Sequence, residues 1–222
     1  MLACRDLRKA YRTPGGSIQA VARIDLDVAP GRFVAVIGRS GSGKSSLMAM
    51  IGGLSRPDAG TVCIEGTDIW SLGDAALARF RNRCIGYVFQ FANLLAALPA
   101  LDNVALPGLL WRRRDANRVR ERAARLLDSV GLGQHLDAYP AEMSAGEQRR
   151  AGIARALINA PRLLLADEPT SDLDEQSERE VMAELLRACR EDGVTLVLVT
   201  HALALAAEAD QVVQIADGTL VS

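Results

Sequence analysis

No run of about eighteen apolar residues, the length needed to cross a bilayer, occurs anywhere in the 222 residues. Any path across a membrane would therefore have to belong to another polypeptide. The opening residues Met1-Leu2-Ala3-Cys4-Arg5-Asp6 lack the apolar core of a secretory signal. Cys4, Cys63, Cys84 and Cys189 form no C-x-x-C and no metal-ligand spacing, which argues against a disulfide scaffold or thiolate metal site and fits reduced thiols in the cytosol. The formal net charge is −1, so there is no bulk electrostatic attraction to nucleic acid. There is no internal repeat, no low-complexity segment, no sustained heptad pattern and no N-K-x-D stretch of the kind that reads guanine.

What is present suits one compact domain with a subdomain. About half of the residues are hydrophobic, enough for a sizeable core. Gly38-Arg39-Ser40-Gly41-Ser42-Gly43-Lys44-Ser45 satisfies G-x-x-x-x-G-K-[ST], the phosphate-binding P-loop. The apolar, β-branched run Phe33–Ile37 before it reads as a buried strand, and Ser45–Ile51 after it as a helix. In that setting the glycines let backbone N–H groups turn toward phosphate oxygens, and the helix N-terminus adds positive potential. Lys44 can reach the β- and γ-phosphates, and the Ser45 hydroxyl can ligate Mg²⁺. Residues Gly38 to Ser46 are the expected nucleotide contacts.

Apolar–polar alternation over the first thirty residues, as in Ile24-Asp25-Leu26-Asp27-Val28, predicts strands, with turns at Pro14-Gly15-Gly16 and Pro30-Gly31. Strands are also expected at Thr61–Ile64, Ile85–Phe89, Leu163–Ala166 and Val194–Val199, and helices at Asp74–Arg83 and Asp174–Glu191. From about 91 to 159 the character is helical. Asp115 can cap a helix bearing Val119, Ala123, Leu126, Leu127 and Val130, with Gly131 as its stop, and Ser144 with Glu147 fits a capping box. Strands alternating with helices predict an α/β fold: a mixed, mainly parallel sheet, an antiparallel β portion at the N-terminus and an inserted helical subdomain. The core is expected at about 1–90 and 160–222, the subdomain at about 91–159. Arg112, Arg113, Arg114, Arg118, Arg120, Arg122 and Arg125 read first as the solvated face of a helix.

Leu163-Leu164-Leu165-Ala166-Asp167-Glu168 places two carboxylates at the C-terminal end of a buried strand, where ligands bind in a parallel sheet. Met143-Ser144-Ala145-Gly146-Glu147-Gln148 opens a helix, where unpaired N–H groups favour an anion. With His201 further on, this series resembles the ATP-binding cassette (ABC) family over nearly the whole chain. Gln90 stands at the family's Q-loop, Met143–Gln148 at its LSGGQ-type stretch, Ser171-Asp172-Leu173-Asp174 at its D-loop and His201 at its H-loop. Tyr11 stands where an aromatic often stacks on adenine. Phe91-Ala92-Asn93-Leu94-Leu95 and Asp102-Asn103-Val104-Ala105-Leu106-Pro107 resemble the lipoprotein-release and macrolide-export branch.

The resemblance implies an ATP-binding and ATP-hydrolysing transporter subunit using ATP and Mg²⁺. Asp167, Ser45 and Gln90 would serve the metal, Glu168 would activate the attacking water, and His201 would address the γ-phosphate. Ser144, Gly146 and Glu147 would meet the nucleotide held by a second copy, in a head-to-tail dimer with two ATP at the interface. The partner would be an integral membrane permease, with this chain peripheral on the cytoplasmic face of the inner membrane and no nucleic acid involved. A non-transport ABC-type ATPase, in DNA repair or translation, is the alternative. Ala145 replaces a glycine and Ala202 an aspartate of the family pattern. The start of the capped helix predicts φ < 0 at Ala145.

Overall fold

A computed structural model describes residues 1–14, 16–110 and 115–221. Gly15 of the first predicted turn and Arg112, Arg113 and Arg114 of the arginine cluster lie outside the described residues. Contacts divide the chain into two units, Met1–Arg81 with Gly193–Ser222, and Asn82–Asp192.

The first unit carries β1 (Leu2–Thr13), β2 (Gly16–Val28), β3 (Phe33–Ile37), α1 (Lys44–Ile51), β4 (Ala59–Ile64) and β5 (Thr67–Asp68). From there α2 (Asp74–Cys84) leads into the second unit, which holds β6 (Ile85–Val88), α3 (Ala100–Leu109), α4 (Ala116–Ser129), α5 (Ala145–Leu157), β7 (Leu163–Asp167) and α6 (Glu175–Arg190). The chain then returns with β8 (Thr195–Val199), α7 (Leu203–Ala206), β9 (Gln211–Ala216) and β10 (Thr219–Val221).

Within the first unit the strand order is β5-β4-β1-β2-β10-β9-β3-β8. β1 pairs antiparallel with β2 and β4, from Leu2 opposite Val28 on one side and Ile64 on the other. β3 runs parallel to both β8 and β9, Val34 facing Val197 and Gln211. Burial follows these pairings. Four of the five β3 residues and all five of β8 are buried, as in a parallel strand covered on both faces, whereas β2 alternates buried and exposed positions at its C-terminal end. β9 and β10 were not expected: Gln211-Val212-Val213-Gln214 alternates too weakly to announce a strand, and pairing with β3 supplies the order.

In the second unit β6 and β7 pair in parallel, Ile85 with Leu163 and Val88 with Ala166. Its helical core gathers Val104 and Ala105 of α3, Val119, Ala123 and Leu127 of α4, and Ala151 and Ala154 of α5, with Leu132, Met143 and Ile158. The Asp115 carboxylate caps α4 through the Asn117 N–H at 2.9 Å, and Gly131 takes φ 75 at its end. Arg118, Arg120 and Arg125 are exposed, in keeping with a solvated face. Arg122 is not: it is half-buried and donates to the Ile158 and Leu157 carbonyls at the end of α5, at 2.7 and 3.3 Å.

Candidate functional site

The loop between β3 and α1 has the geometry that the P-loop motif requires. Gly38, Gly41 and Gly43 take φ of 153, 78 and 108. A Cβ on Gly38 would lie 2.3 Å from the Ile215 carbonyl oxygen, and one on Gly43 would lie 2.2 Å from that of Ala20. Only glycine fits at both places, for space as well as for backbone angle. Gly43 is the N-cap of α1, and no acidic residue in the first turn neutralises that positive end. Lys44 is buried, its ammonium donating to the Gly38 and Arg39 carbonyls at 2.8 and 2.9 Å. Ser45 is exposed and Ser46 half-buried at the start of α1. The buried Ser42 hydroxyl finds no partner among the described residues. Arg39, Ser40, Gly41 and Ser42, with Gln214, Ile215, Ala216 and Asp217, line a hollow of about 400 Å³. The glycine-turned backbone and the positive end of α1 suit an anion.

Tyr11, also in this unit, is an exposed ring on β1 opposite Ile18 of β2, with the Lys9 ammonium 5.5 Å from its centroid. Two residues along β2 from Ile18 is Ala20, the residue packed against Gly43. His201 is exposed between β8 and α7. Ala202 is the N-cap of α7 but gives no side-chain bond; its own N–H donates to the Thr200 hydroxyl at 3.0 Å.

In the second unit Asp167 ends β7 and Glu168 follows it, both half-buried. Glu168 takes φ 48, a left-handed conformation that costs a non-glycine residue about 1–3 kcal/mol and persists only where its surroundings enforce it. The Ser171 N–H and hydroxyl do so, donating to the Glu168 carbonyl at 3.2 and 3.0 Å. Tyr87 stacks on Phe89 at 4.2 Å; burial first, and the Asp167 charge second, push its hydroxyl pKa up.

The capping box predicted at Ser144 is present. The Glu147 N–H donates to the Ser144 hydroxyl at 3.3 Å, and the Ser144 N–H donates to the Glu147 carboxylate at 2.7 Å, which holds the pKa of Glu147 below its ordinary value. Ala145 begins α5 and is not among the residues of positive φ, as expected. Ser144 and Ala145 are exposed, whereas Gly146 is buried: a Cβ there would lie 2.7 Å from the Ser177 hydroxyl.

Gln90 is exposed just beyond β6. Sequence reasoning missed how its loop is held. Arg155 of α5 donates to the Ala92 and Asn93 carbonyls at 2.6 and 2.7 Å, and Arg149 to the Phe89 carbonyl at 3.4 Å. On α5, Arg149 is buried among small and apolar residues, Gly146, Ala151, Gly152, Ile153, Ala154 and Leu157. Phe91 is 63 % exposed and Leu95 48 %, while Leu94 packs against the helical core.

Among the described residues no helix is long and apolar enough to cross a membrane. The sequence matches the ABC transporter family over residues 21–171. It is 47 % identical over 220 residues to the lipoprotein-releasing system ATP-binding protein LolD 2 of Caulobacter vibrioides, covering 99 % of this chain and 96 % of that protein. It is 45 % identical to the macrolide export ATP-binding/permease protein MacB of Rhodopirellula baltica, covering 98 % of this chain but 32 % of that longer protein. The dimeric ATP-binding cassette MJ0796, solved in a post-hydrolysis state bound to ADP and Pi, superposes with a TM-score of 0.93 at 35 % identity, covering 100 % of this chain and 97 % of that one. Matching the family over residues 21–171 and a relative of similar length at 47 % identity, the chain belongs to the ABC transporter family.

Proposed function

We propose that this chain is the ATP-binding and ATP-hydrolysing subunit of a transporter in the lipoprotein-release and macrolide-export branch. The P-loop carries the reading. Its lysine is folded back onto the Gly38 and Arg39 carbonyls, poised to exchange them for phosphate oxygens. Gly38 to Ser46 bind the triphosphate, and Tyr11 stacks on the adenine. In the first unit the Ser45 hydroxyl is a hard oxygen donor of the kind that suits Mg²⁺, and in the second unit the Gln90 amide and the Asp167 carboxylate are too; Mg²⁺ is commonly held by few protein groups together with substrate phosphates. The metal would neutralise charge on the β- and γ-phosphates. Glu168 orients and deprotonates the attacking water, and His201 contacts the γ-phosphate.

Two copies close head to tail around two ATP, each offering Ser144, Gly146 and Glu147 at the start of α5 to the nucleotide on the other. MJ0796 supports this arrangement, being a dimeric cassette. Residues 91–159 act as a helical subdomain that carries nucleotide-driven motion to an integral membrane permease, and the chain works on the cytoplasmic face of the inner membrane. Lys44→Ala tests the reading. The variant loses charge-assisted bonds of about 1.5–3 kcal/mol each, so ATP affinity should fall by ten-fold or more by about that scale, and an integral membrane protein should co-purify with wild type. Unchanged ATP affinity removes the P-loop assignment; co-purification with DNA or ribosomes alone removes transport.

A further inference from the structure

Arg149 is a buried charge with too few partners. It is 5 % exposed, yet among the described residues its terminal nitrogens make two long hydrogen bonds, each 3.4 Å, one to the Phe89 carbonyl and one to the Ser171 carbonyl. Nε finds no partner among the described residues. The ring of Phe91 lies 5.6 Å from the guanidinium carbon. A guanidinium has five N–H donors, and N–H···O bonds are usually shorter by about half an ångström. Arg155 on the same helix shows the contrast, with bonds of 2.6 and 2.7 Å. Burial lowers the pKa of Arg149, and the charge of Asp172 opposes that shift.

As a source of stability this is a poor arrangement, because a buried, underpaired cation is costly. Its position is what distinguishes it. One bond reaches the residue before Gln90. The other reaches Ser171, whose own N–H and hydroxyl hold the Glu168 carbonyl. Arg149 therefore ties three segments of the second unit: α5, the loop after β6 and the turn after β7. We propose that Arg149 is a positioning residue for hydrolysis, fixing the Gln90 loop and the Glu168 turn against α5 so that the amide and the carboxylate approach the same water. Asp172, whose charge opposes the effect of burial on Arg149, lies on that turn. This rests on the roles given above to Gln90 and Glu168.

Two variants of the full chain test it, Arg149→Met and Arg149→Lys, each measured for melting temperature, ATP affinity, kcat and KM. Methionine removes the charge and keeps an apolar chain of similar reach, a replacement that is often neutral or stabilising. Arg149→Met should melt at or above the wild-type temperature and bind ATP normally, with KM within about two-fold and kcat lowered by about ten-fold or more, the scale of a small misplacement at a reacting centre. Arg149→Lys keeps a donor for one carbonyl at a time and should fall between. A kcat for Arg149→Met equal to wild type overturns the proposal. So does a loss of kcat that simply tracks a lowered melting temperature. If Arg149→Met does not fold, Arg149→Lys decides by the same split between stability and kcat. Wild type and Glu168→Gln are run alongside. A wild type without ATPase activity, or a Glu168→Gln chain that turns over normally, strikes the parent reading. A slow Glu168→Gln chain beside a fast Arg149→Met chain strikes Arg149 alone.

Discussion

Asn103 and Leu95 exchange hydrogen bonds as two paired strand residues would. The Leu95 N–H donates to the Asn103 Oδ1 at 2.7 Å, and the Asn103 Nδ2 donates to the Leu95 carbonyl at 3.1 Å. The same nitrogen lies 2.8 Å from the Leu98 carbonyl and 3.2 Å from that of Pro99. Asn103 is fully buried on α3, so an apolar helix carries a backbone-like group that fastens the loop after Gln90.

Replacing Asn103 by alanine takes this partner from the Leu95 N–H and the Leu98 carbonyl, whereas the Leu95 and Pro99 carbonyls keep the backbone N–H groups of Leu98 and Asn103; each group left bare and not reached by water costs about 1–3 kcal/mol. The urea midpoint should fall clearly, with the slope unchanged if folding stays cooperative. An unaltered midpoint would mean that water serves the loop equally well.

Many of the regular elements and their caps, though not β9 and β10, are legible because local chemistry decides them. Asp115, Gly131, Ser144 and Glu147 each do what their residue type does at a helix end. The strand–loop–helix around Lys44 was legible for the same reason. Asn103, Arg149 and Arg155 were not, because a buried polar side chain acquires its role only from the segment that packs on it. Asn103 looked like a mark of a branch of the family, and its clamp on Leu95 appears only in three dimensions. The expectation that Gly146 meets the nucleotide says nothing of its packing against Ser177, which depends on where α6 lies beside α5.

Glu168→Gln should preserve ATP binding and slow hydrolysis by about 10²–10⁴-fold, the usual weight of a general base. Glutamine is nearly isosteric and keeps the backbone turn that Ser171 supports. If hydrolysis reopens the dimer, the variant accumulates as an ATP-bound dimer. Sedimentation with and without ATP reads this directly, and a variant that stays monomeric with ATP and turns over normally would remove the role given to Glu168.

Phe91→Ser addresses docking. The ring is mostly exposed, with the Arg149 guanidinium carbon 5.6 Å from its centroid, so the core has little stake in it. A surface change of this kind usually moves stability by less than about 0.5 kcal/mol. Co-purification of the membrane partner should weaken while ATP affinity and melting temperature hold. A lower melting temperature would show that Phe91 stabilises the loop rather than the complex.

The start of α5 gives the sharpest test of the shared site. Gly146→Asp is ambiguous there, because any Cβ meets Ser177 of the same chain at 2.7 Å from its hydroxyl and 3.0 Å from its Cβ. Such a variant could fail through packing alone. Ala145 is exposed and helical, so Ala145→Asp introduces no clash within the chain. In the isolated chain an acid at this first helical position favours the helix dipole, by about 0.3–1 kcal/mol. In the closed dimer the same carboxylate would face the partner-held γ-phosphate and repel it. Ala145→Asp should therefore fold as well as wild type or better, bind ATP as a monomer, and lose ATPase activity and ATP-dependent dimerisation. Ala145→Gly, which restores a smaller residue where the backbone is already helical, should change the rate little. An Ala145→Asp chain that dimerises and hydrolyses ATP at the wild-type rate would take the start of α5 away from the nucleotide and count against the head-to-tail arrangement.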